Sequence, residues 1–246
     1  MKKFKQTIIN EINDYKLLLR SVPSLVMVFF CISVVLMNFL ANKELLNTTW
    51  LALDCGFTLS WISFLCMDML TKRFGAKAAI KLSLITVFVN LVVSGIFYLI
   101  SLIPSNWSAY YGYGNPIINI SIDDTIGGTW YVLLGSTIAF IVSSIVNAIV
   151  NSGIGKLQKH NTFKNFAARS YISTALGQFV DNLIFATIVS HVFFGWTWKQ
   201  VIICSFAGAL MELLCEIIFS PIGYKVCKKW ENQNIGSEYL SHQKNK

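Results

Sequence analysis

Four carboxylates sit where the surrounding sequence is apolar. Asp54, Asp181, Glu212 and Glu216 each fall within a hydrophobic run about 20 residues long. The same runs carry Asn38, Asn147, Gln178, Asn182 and Trp61. On helical spacing Thr174, Gln178, Asp181, Asn182 and Phe185 share one face, and Ser205, Gly208, Glu212, Cys215, Glu216 and Phe219 share another. A carboxylate in hydrocarbon costs roughly 2.5–3.5 kcal/mol on insertion scales, so four facing lipid would cost on the order of 10 kcal/mol. They are expected to face an interior cavity instead. Acids, amides and aromatic faces suit a planar, donor-rich or cationic small molecule and suit an anion poorly. The substrate-binding candidates are therefore Asp181, Gln178, Asn182, Glu212, Glu216, Asp54, Trp61, Asn147 and Asn38.

Catalysis is not expected. An intramembrane metalloprotease needs clustered His and acidic ligands, whereas His160, His191 and His242 fall in a loop, at the edge of an apolar run and in the tail. No Ser/His pair falls at one depth, and no P-loop is present to bind a nucleotide. The six cysteines form no Cys-x-x-Cys pair and read as small apolar residues. Neither a cofactor nor a metal is called for.

The elements that must position these residues are membrane spans. Of the 246 residues, 54% are hydrophobic and 13% charged, too apolar for a soluble domain. Six segments qualify, at 22–41, 49–70, 78–103, 129–151, 170–194 and 200–224, which gives an all-α integral membrane protein with six transmembrane helices. Of the 20 Lys and Arg residues, only Lys43 and Lys199 fall on one side of these spans. The others gather on the opposite side, so both termini are expected in the cytoplasm of a multi-pass protein of the cell (inner) membrane. The net charge of +8 then orients the chain and meets anionic lipid; it is not a nucleic-acid footprint.

Residues 1–21 read as a cytoplasmic amphipathic segment with Phe4, Ile8, Ile12, Tyr15 and Leu19 on one face, 22–224 as the transmembrane domain, and 225–246 as a basic cytoplasmic tail. The external loop 104–128 is 25 residues rich in Gly, Asn, Ser and Tyr with no basic residue, a length that implies either a lid or a disordered segment. Span two places Asp54, Thr58, Trp61, Leu65 and Asp68 on one stripe, with Lys72 within reach of Asp68 as a local pair. Asp68, Lys43 and Arg169 mark span ends and take structural or gating roles. Gly135, Ala139, Ser143, Asn147 and Asn151 recur at intervals of four in span four, a spacing that lets helices approach closely.

Several motifs together resemble one family. Asn38-Phe39-Leu40-Ala41-Asn42-Lys43 resembles the first-span signature of the queuosine-precursor transporters, a family also called vitamin uptake transporters. Asp68-Met69-Leu70-Thr71 with Phe74-Gly75 resembles its Asp-x-Leu-Thr-Glu-x-Tyr-Gly motif; Ser173, Gln178, Asp181 and Phe185 resemble its fifth-span pattern, and Glu216 with Pro221 its sixth. The resemblance implies uptake of a 7-deazaguanine base, in the 7-cyano or 7-aminomethyl form, and a fold similar to the substrate-binding subunits of energy-coupling-factor transporters. An alternative with the same architecture is a substrate-binding subunit driven by separate ATPase subunits, or an uptake protein for another amine-bearing solute. A homodimer or an ATPase module are the candidate protein partners, beside the lipid bilayer and the purine-like base. Three positions depart from the family pattern: Lys72 replaces its Glu, Phe74 replaces its Tyr, and Met211-Glu212 stands where a lysine is expected. Losing a cation and gaining an acid should shift preference towards a cationic ligand.

Overall fold

The computed structural model describes residues 2–108, 110, 114–127, 130–158 and 162–244. His160, Lys159 and the ends of the tail and of the expected fourth span (Lys246, Thr129) lie outside the described residues. The elements run α1 (Lys2–Ser21), α2 (Ser24–Leu40), β1 (Glu44–Asn47), β2 (Ala52–Asp54), α3 (Phe57–Phe74), α4 (Ala76–Ser101), α5 (Pro116–Gly127), α6 (Trp130–Leu157), α7 (Phe163–Phe185), α8 (Trp198–Asn232) and α9 (Ser237–Lys244). A π-helical stretch, Ala186–His191, prolongs α7.

Among the described residues four stretches are long and apolar enough to cross a membrane: Ala76–Ser101, Pro116–Leu157, Phe163–His191 and Trp198–Asn232. A fifth counts if α1 and α2 are taken as one broken span, bent by 104°. Pro23 lies in that bend, where its ring and missing N–H prevent a continuous helix. The protein is a multi-pass membrane protein. The remaining helix, α3, has 18 residues and includes Asp68, Lys72 and Arg73. It is held at the centre by packing on α2, α4, α6 and α8. Its neighbours bury Phe64 to Thr71 without a break, so α3 owes its place to protein contacts more than to its own hydrophobicity.

Three expected boundaries are corrected. The run at 49–70 is not one helix: Glu44–Asn47 and Ala52–Asp54 form an antiparallel β-hairpin, and α3 begins only at Phe57. Asp54 thus leaves the helical stripe and sits at the hairpin base, where its carboxylate accepts from Gly56 N at 2.7 Å. The hairpin is stapled to the start of α8, since Trp196 Nε1 donates to Glu44 Oε1 at 2.7 Å and Gln200 Nε2 donates to the Thr48 carbonyl at 2.8 Å. The last span also runs on past residue 224, to Asn232. Pro221 removes the N–H that would serve the Ile217 carbonyl, but Ser220 Oγ donates to that oxygen at 3.3 Å and the helix continues. Thirdly, part of the stretch 104–128 is helical: α5 packs on α4, and Trp107 ties back to it through Asn119 and Asp123.

At the other end of the molecule α1 does form, with Ile12 and Leu19 exposed as an apolar face. Its opposite face is polar and docked. Asp14, almost fully buried, accepts from Lys81 Nζ at 2.6 Å and from Gln243 Nε2 at 2.6 Å, so the tail folds back as α9 over α1. Arg73 Nε and Nη2 both donate to the Ile235 carbonyl, at 2.9 and 2.6 Å, fixing the turn between α8 and α9. In that turn Asn234 and Gly236 adopt positive φ, which reverses the chain tightly enough for Tyr239 to reach the Phe74 ring. Burial, with the Asp14 carboxylate nearby, raises the pKa of the Tyr239 phenol.

The most extensive helix pairing is α6 with α7. Gly135, Ala139, Ser143, Asn147 and Asn151 are all buried, as the spacing of four predicts for a close-packed face. A side chain at Gly135 would overlap Val189 of the π-helical stretch, and one at Gly177 would stand 3.0 Å from both Asn147 Cβ and the Phe64 ring. Without glycine there, α7 could not lie against α3 and α6. All six cysteines are free.

Candidate functional site

Polar side chains inside the bundle gather in two places. The first is a cleft at the hairpin end, lined by Asn38, Asp54, Ser60, Ser136, Asp181, Asn182 and Glu212. Its apolar lining includes Met37, Phe57 and Phe185. They come from six elements: α2, β2, the start of α3, α6, the end of α7 and the middle of α8. Glu212 lies about 21 Å along α8 from Trp198, so the cleft reaches well into the bundle. Among the described residues no Lys or Arg lines it.

Hydrogen bonds fix the lining and leave acceptor capacity free. Ser143 Oγ donates to Asp181 Oδ1 at 2.6 Å. Asn182 Nδ2 donates to Glu212 Oε2 at 3.2 Å, and Ser60 Oγ donates to Glu212 Oε1. Ser136 Oγ donates to Asn38 Oδ1, joining α6 to α2 at the cleft wall. Asn38 therefore serves both as a helix-to-helix contact and as lining. Gly208 stands beside Asn182, and a Cβ there would come within 2.8 Å of its Nδ2. A residue without a side chain is what allows Asn182 to lie across to Glu212.

The second place is sealed. Asp68 on α3, Asn147 and Asn151 on α6, Ser170, Ser173 and Thr174 on α7, and Glu216 on α8 are all 0% exposed. Asp68 Oδ1 accepts from Asn147 Nδ2 at 3.0 Å and from Asn151 Nδ2 at 2.8 Å. Asp68 Oδ2 accepts from Thr174 Oγ1 at 3.1 Å and from the Ser170 hydroxyl. Ser170 also contacts Glu216 Oε1, which brings the two carboxyl groups to one hydroxyl. Lys72, within sequence reach of Asp68, instead holds its ammonium over the Phe166 ring, 5.5 Å from the centroid.

The sequence candidates divide accordingly. Asp54, Asp181, Asn182, Glu212 and Asn38 line the cleft. Glu216, Asn147 and Asp68 belong to the sealed cluster, and Gln178 is fully buried on α7 between the two places. Trp61 is in neither. It stacks on Phe219 with centroids 4.4 Å apart and faces an apolar hollow with Val26, Phe29 and Ile222. The Lys43 side chain is exposed, and its carbonyl accepts from Cys55 N at 2.7 Å to close the hairpin base. Arg169 packs its guanidinium against Gly155 of α6. Reading from sequence missed Ser60 and Ser136, whose hydroxyls are too cheap to bury in a helix to stand out. Among the described residues no group of His, Cys, Asp and Glu is arranged to hold a metal ion.

A family model described as "Putative vitamin uptake transporter" matches residues 54–226, which is most of the bundle and includes the sealed cluster and all of the cleft lining except its α2 residues. No curated protein and no solved structure matches the chain. By that match the chain belongs to the vitamin uptake transporter family, and a transporter binds its small molecule within the bilayer.

Proposed function

We propose that this family member takes up a 7-deazaguanine base, a precursor of the modified tRNA base queuosine, and prefers the cationic 7-aminomethyl form to the neutral 7-cyano form. One observation carries the reading: Asp54, Asp181 and Glu212 converge on a single cleft that, among the described residues, no Lys or Arg lines. A guanine-like edge offers N1–H and a 2-amino group side by side, which a carboxylate accepts as a pair, the part assigned to Asp181. The Asn182 and Asn38 amides read the carbonyl and ring nitrogens, and Phe57 or Phe185 stacks on the ring. Glu212 takes the ammonium. The family resemblance implies a lysine where this chain has Met211-Glu212, and a lysine there would repel that group. The energy source and protein partners, whether a homodimer or an ATPase module, are a separate question that uptake into liposomes by the purified protein decides.

The topology of the reading has six spans, α2 to α4 and α6 to α8, with both termini cytoplasmic. The placement of the basic residues supports it, and so does the central position of α3 among helices long enough to span. The test of the substrate is binding of the two bases to purified protein. Wild type should hold the aminomethyl base more tightly, and Glu212→Gln should remove that preference while still binding the cyano base. Equal affinity of wild type for the two would overturn the assignment of the ammonium to Glu212.

A further inference from the structure

We propose that Asp68, Ser170 and Glu216 form a proton-binding site, separate from the cleft, whose one proton is exchanged with each passage of substrate. The inference rests on the transporter reading for its coupling step, but the site itself stands on its own geometry. A serine hydroxyl has one hydrogen, and Ser170 Oγ contacts a carboxyl oxygen of Asp68 and one of Glu216. It can donate to only one of them. The other contact needs a second hydrogen, supplied by a protonated carboxyl that donates to Ser170.

The surroundings say which carboxyl carries it. Asp68 already accepts from Asn147, Asn151, Thr174 and Ser170, a set of donors suited to an anion. Glu216 Oε2 is buried with no hydrogen-bond partner. An unpartnered carbonyl oxygen is far cheaper to bury than an unpartnered carboxylate oxygen, so the proton belongs on Glu216. The arrangement is Glu216 O–H to Ser170 Oγ, and Ser170 O–H to Asp68.

A second observation links this site to the cleft. Gln178 is 0% exposed, and neither its Nε2 nor its Oε1 has a partner. A buried amide unsatisfied at both ends calls for water or another transient partner. It lies one turn beyond Thr174, which donates to Asp68, and about one turn before Asp181 and Asn182, which line the cleft. Ser170, Thr174, Gln178 and Asp181 thus form a polar column on α7 through which the proton can pass.

The charged groups around the pair suit a proton better than a metal cation. On α7 Arg169 adjoins Ser170, with Asp181 at the far end of the column. On α3 Lys72 and Arg73 follow Asp68 by one turn or more, on α8 Glu212 precedes Glu216 by one turn, and α6 contributes no charge nearer than Lys156. A sodium site presents lone pairs, whereas the Asn147 and Asn151 amides turn N–H groups towards Asp68.

Two measurements test this. Infrared spectra of purified wild type at neutral pH should contain the carbonyl band of a buried un-ionised acid. Glu216→Gln should abolish that component, Glu212→Gln should spare it, and in wild type it should titrate away as one proton on raising the pH. A spectrum in which this component survives Glu216→Gln, or emerges only when sodium is withdrawn, overturns the proposal. This arm needs no substrate, so it decides the site even if the 7-deazaguanine reading fails. In proteoliposomes with the membrane potential clamped, one unit of inward pH gradient should drive about tenfold accumulation of 7-aminomethyl-7-deazaguanine by wild type, as one proton per base requires. Glu216→Gln should equilibrate the base without accumulating it. Accumulation by Glu216→Gln as high as by wild type would overturn the coupling. Should the variant fold poorly, Ser170→Ala, which removes the shared hydroxyl but no charge, should also lose gradient-driven accumulation.

Discussion

Glu212 and Glu216 stand one turn apart on α8, yet they meet different surroundings. Glu212 faces the cleft, held by Asn182 and Ser60, with Asp54 and Asp181 across from it and open space between. Glu216 faces a packed interior where hydroxyls and amides from α6 and α7 close around Asp68. Asp54 and Asp68 repeat the contrast along the second polar segment, one at the base of a hairpin and one at the buried heart of α3. The lesson is that an acid in an apolar run needs an explanation but does not reveal which one. Acids that line a cleft are placed to meet a ligand, and acids enclosed by packed helices belong to the fold or to a proton.

That division can be broken by measuring stability and ligand affinity on the same variants. The largest effect is expected from Asp68→Ala, which strands the donors of Asn147, Asn151, Ser170 and Thr174 at once. The loss should be about 3 kcal/mol or more, read as a fall of roughly 6–12 °C in the unfolding temperature of the detergent-solubilised protein. Asp181→Ala, in the open cleft, should cost far less on the same scale. Second, Glu212→Gln should weaken the aminomethyl base by about 30-fold or more while leaving the unfolding temperature nearly unchanged, measured by titration calorimetry and thermal unfolding in parallel. A large fall in stability without loss of affinity would move Glu212 from the cleft to the fold.

Third, Gly208→Ala sharpens the account of the cleft wall. Its new Cβ would crowd Asn182 Nδ2 and displace the amide from Glu212, so affinity should fall by roughly tenfold, the worth of about one hydrogen bond to a charged group. The smallest effect on binding is expected from Trp61→Ala. Its ring stacks on Phe219 away from the cleft, so stability should drop by about 1 kcal/mol with the dissociation constant unchanged. A binding defect in Trp61→Ala would show that the apolar hollow on that side takes part in recognition.

How far the sequence revealed all this differs between the same two regions. Asp181, Asn182 and Glu212 were legible because insertion into hydrocarbon makes an acid or an amide costly, and their helical spacing put them on inward faces. Asp54 was legible as an acid but misplaced, because Trp50-Leu51-Ala52-Leu53 is as apolar as a helix start and a hairpin with three residue pairs leaves no periodic trace. Ser60 and Ser136 were invisible: a serine in a helix can satisfy itself on a carbonyl of the preceding turn, as Ser63 does on the Ser60 carbonyl at 2.7 Å. The separation of Glu216 and Asp68 from the cleft was not readable, since it depends on which face of α3 meets α6 and α7. Nor was the π-helical stretch after Phe185, which lays Ile188 and Val189 against Gly135. The close approach of α6 and α7 was readable from the small residues at intervals of four.

The central claim is that substrate binds among Asp54, Asp181 and Glu212 and not at the sealed acid pair. It is tested most directly by the dissociation constant of 7-aminomethyl-7-deazaguanine for Asp181→Asn and Asp68→Asn, measured side by side on protein of verified monodispersity. The account predicts a loss of about 30-fold or more in Asp181→Asn and a change within about threefold in Asp68→Asn. A loss in Asp68→Asn with Asp181→Asn binding as wild type would contradict it.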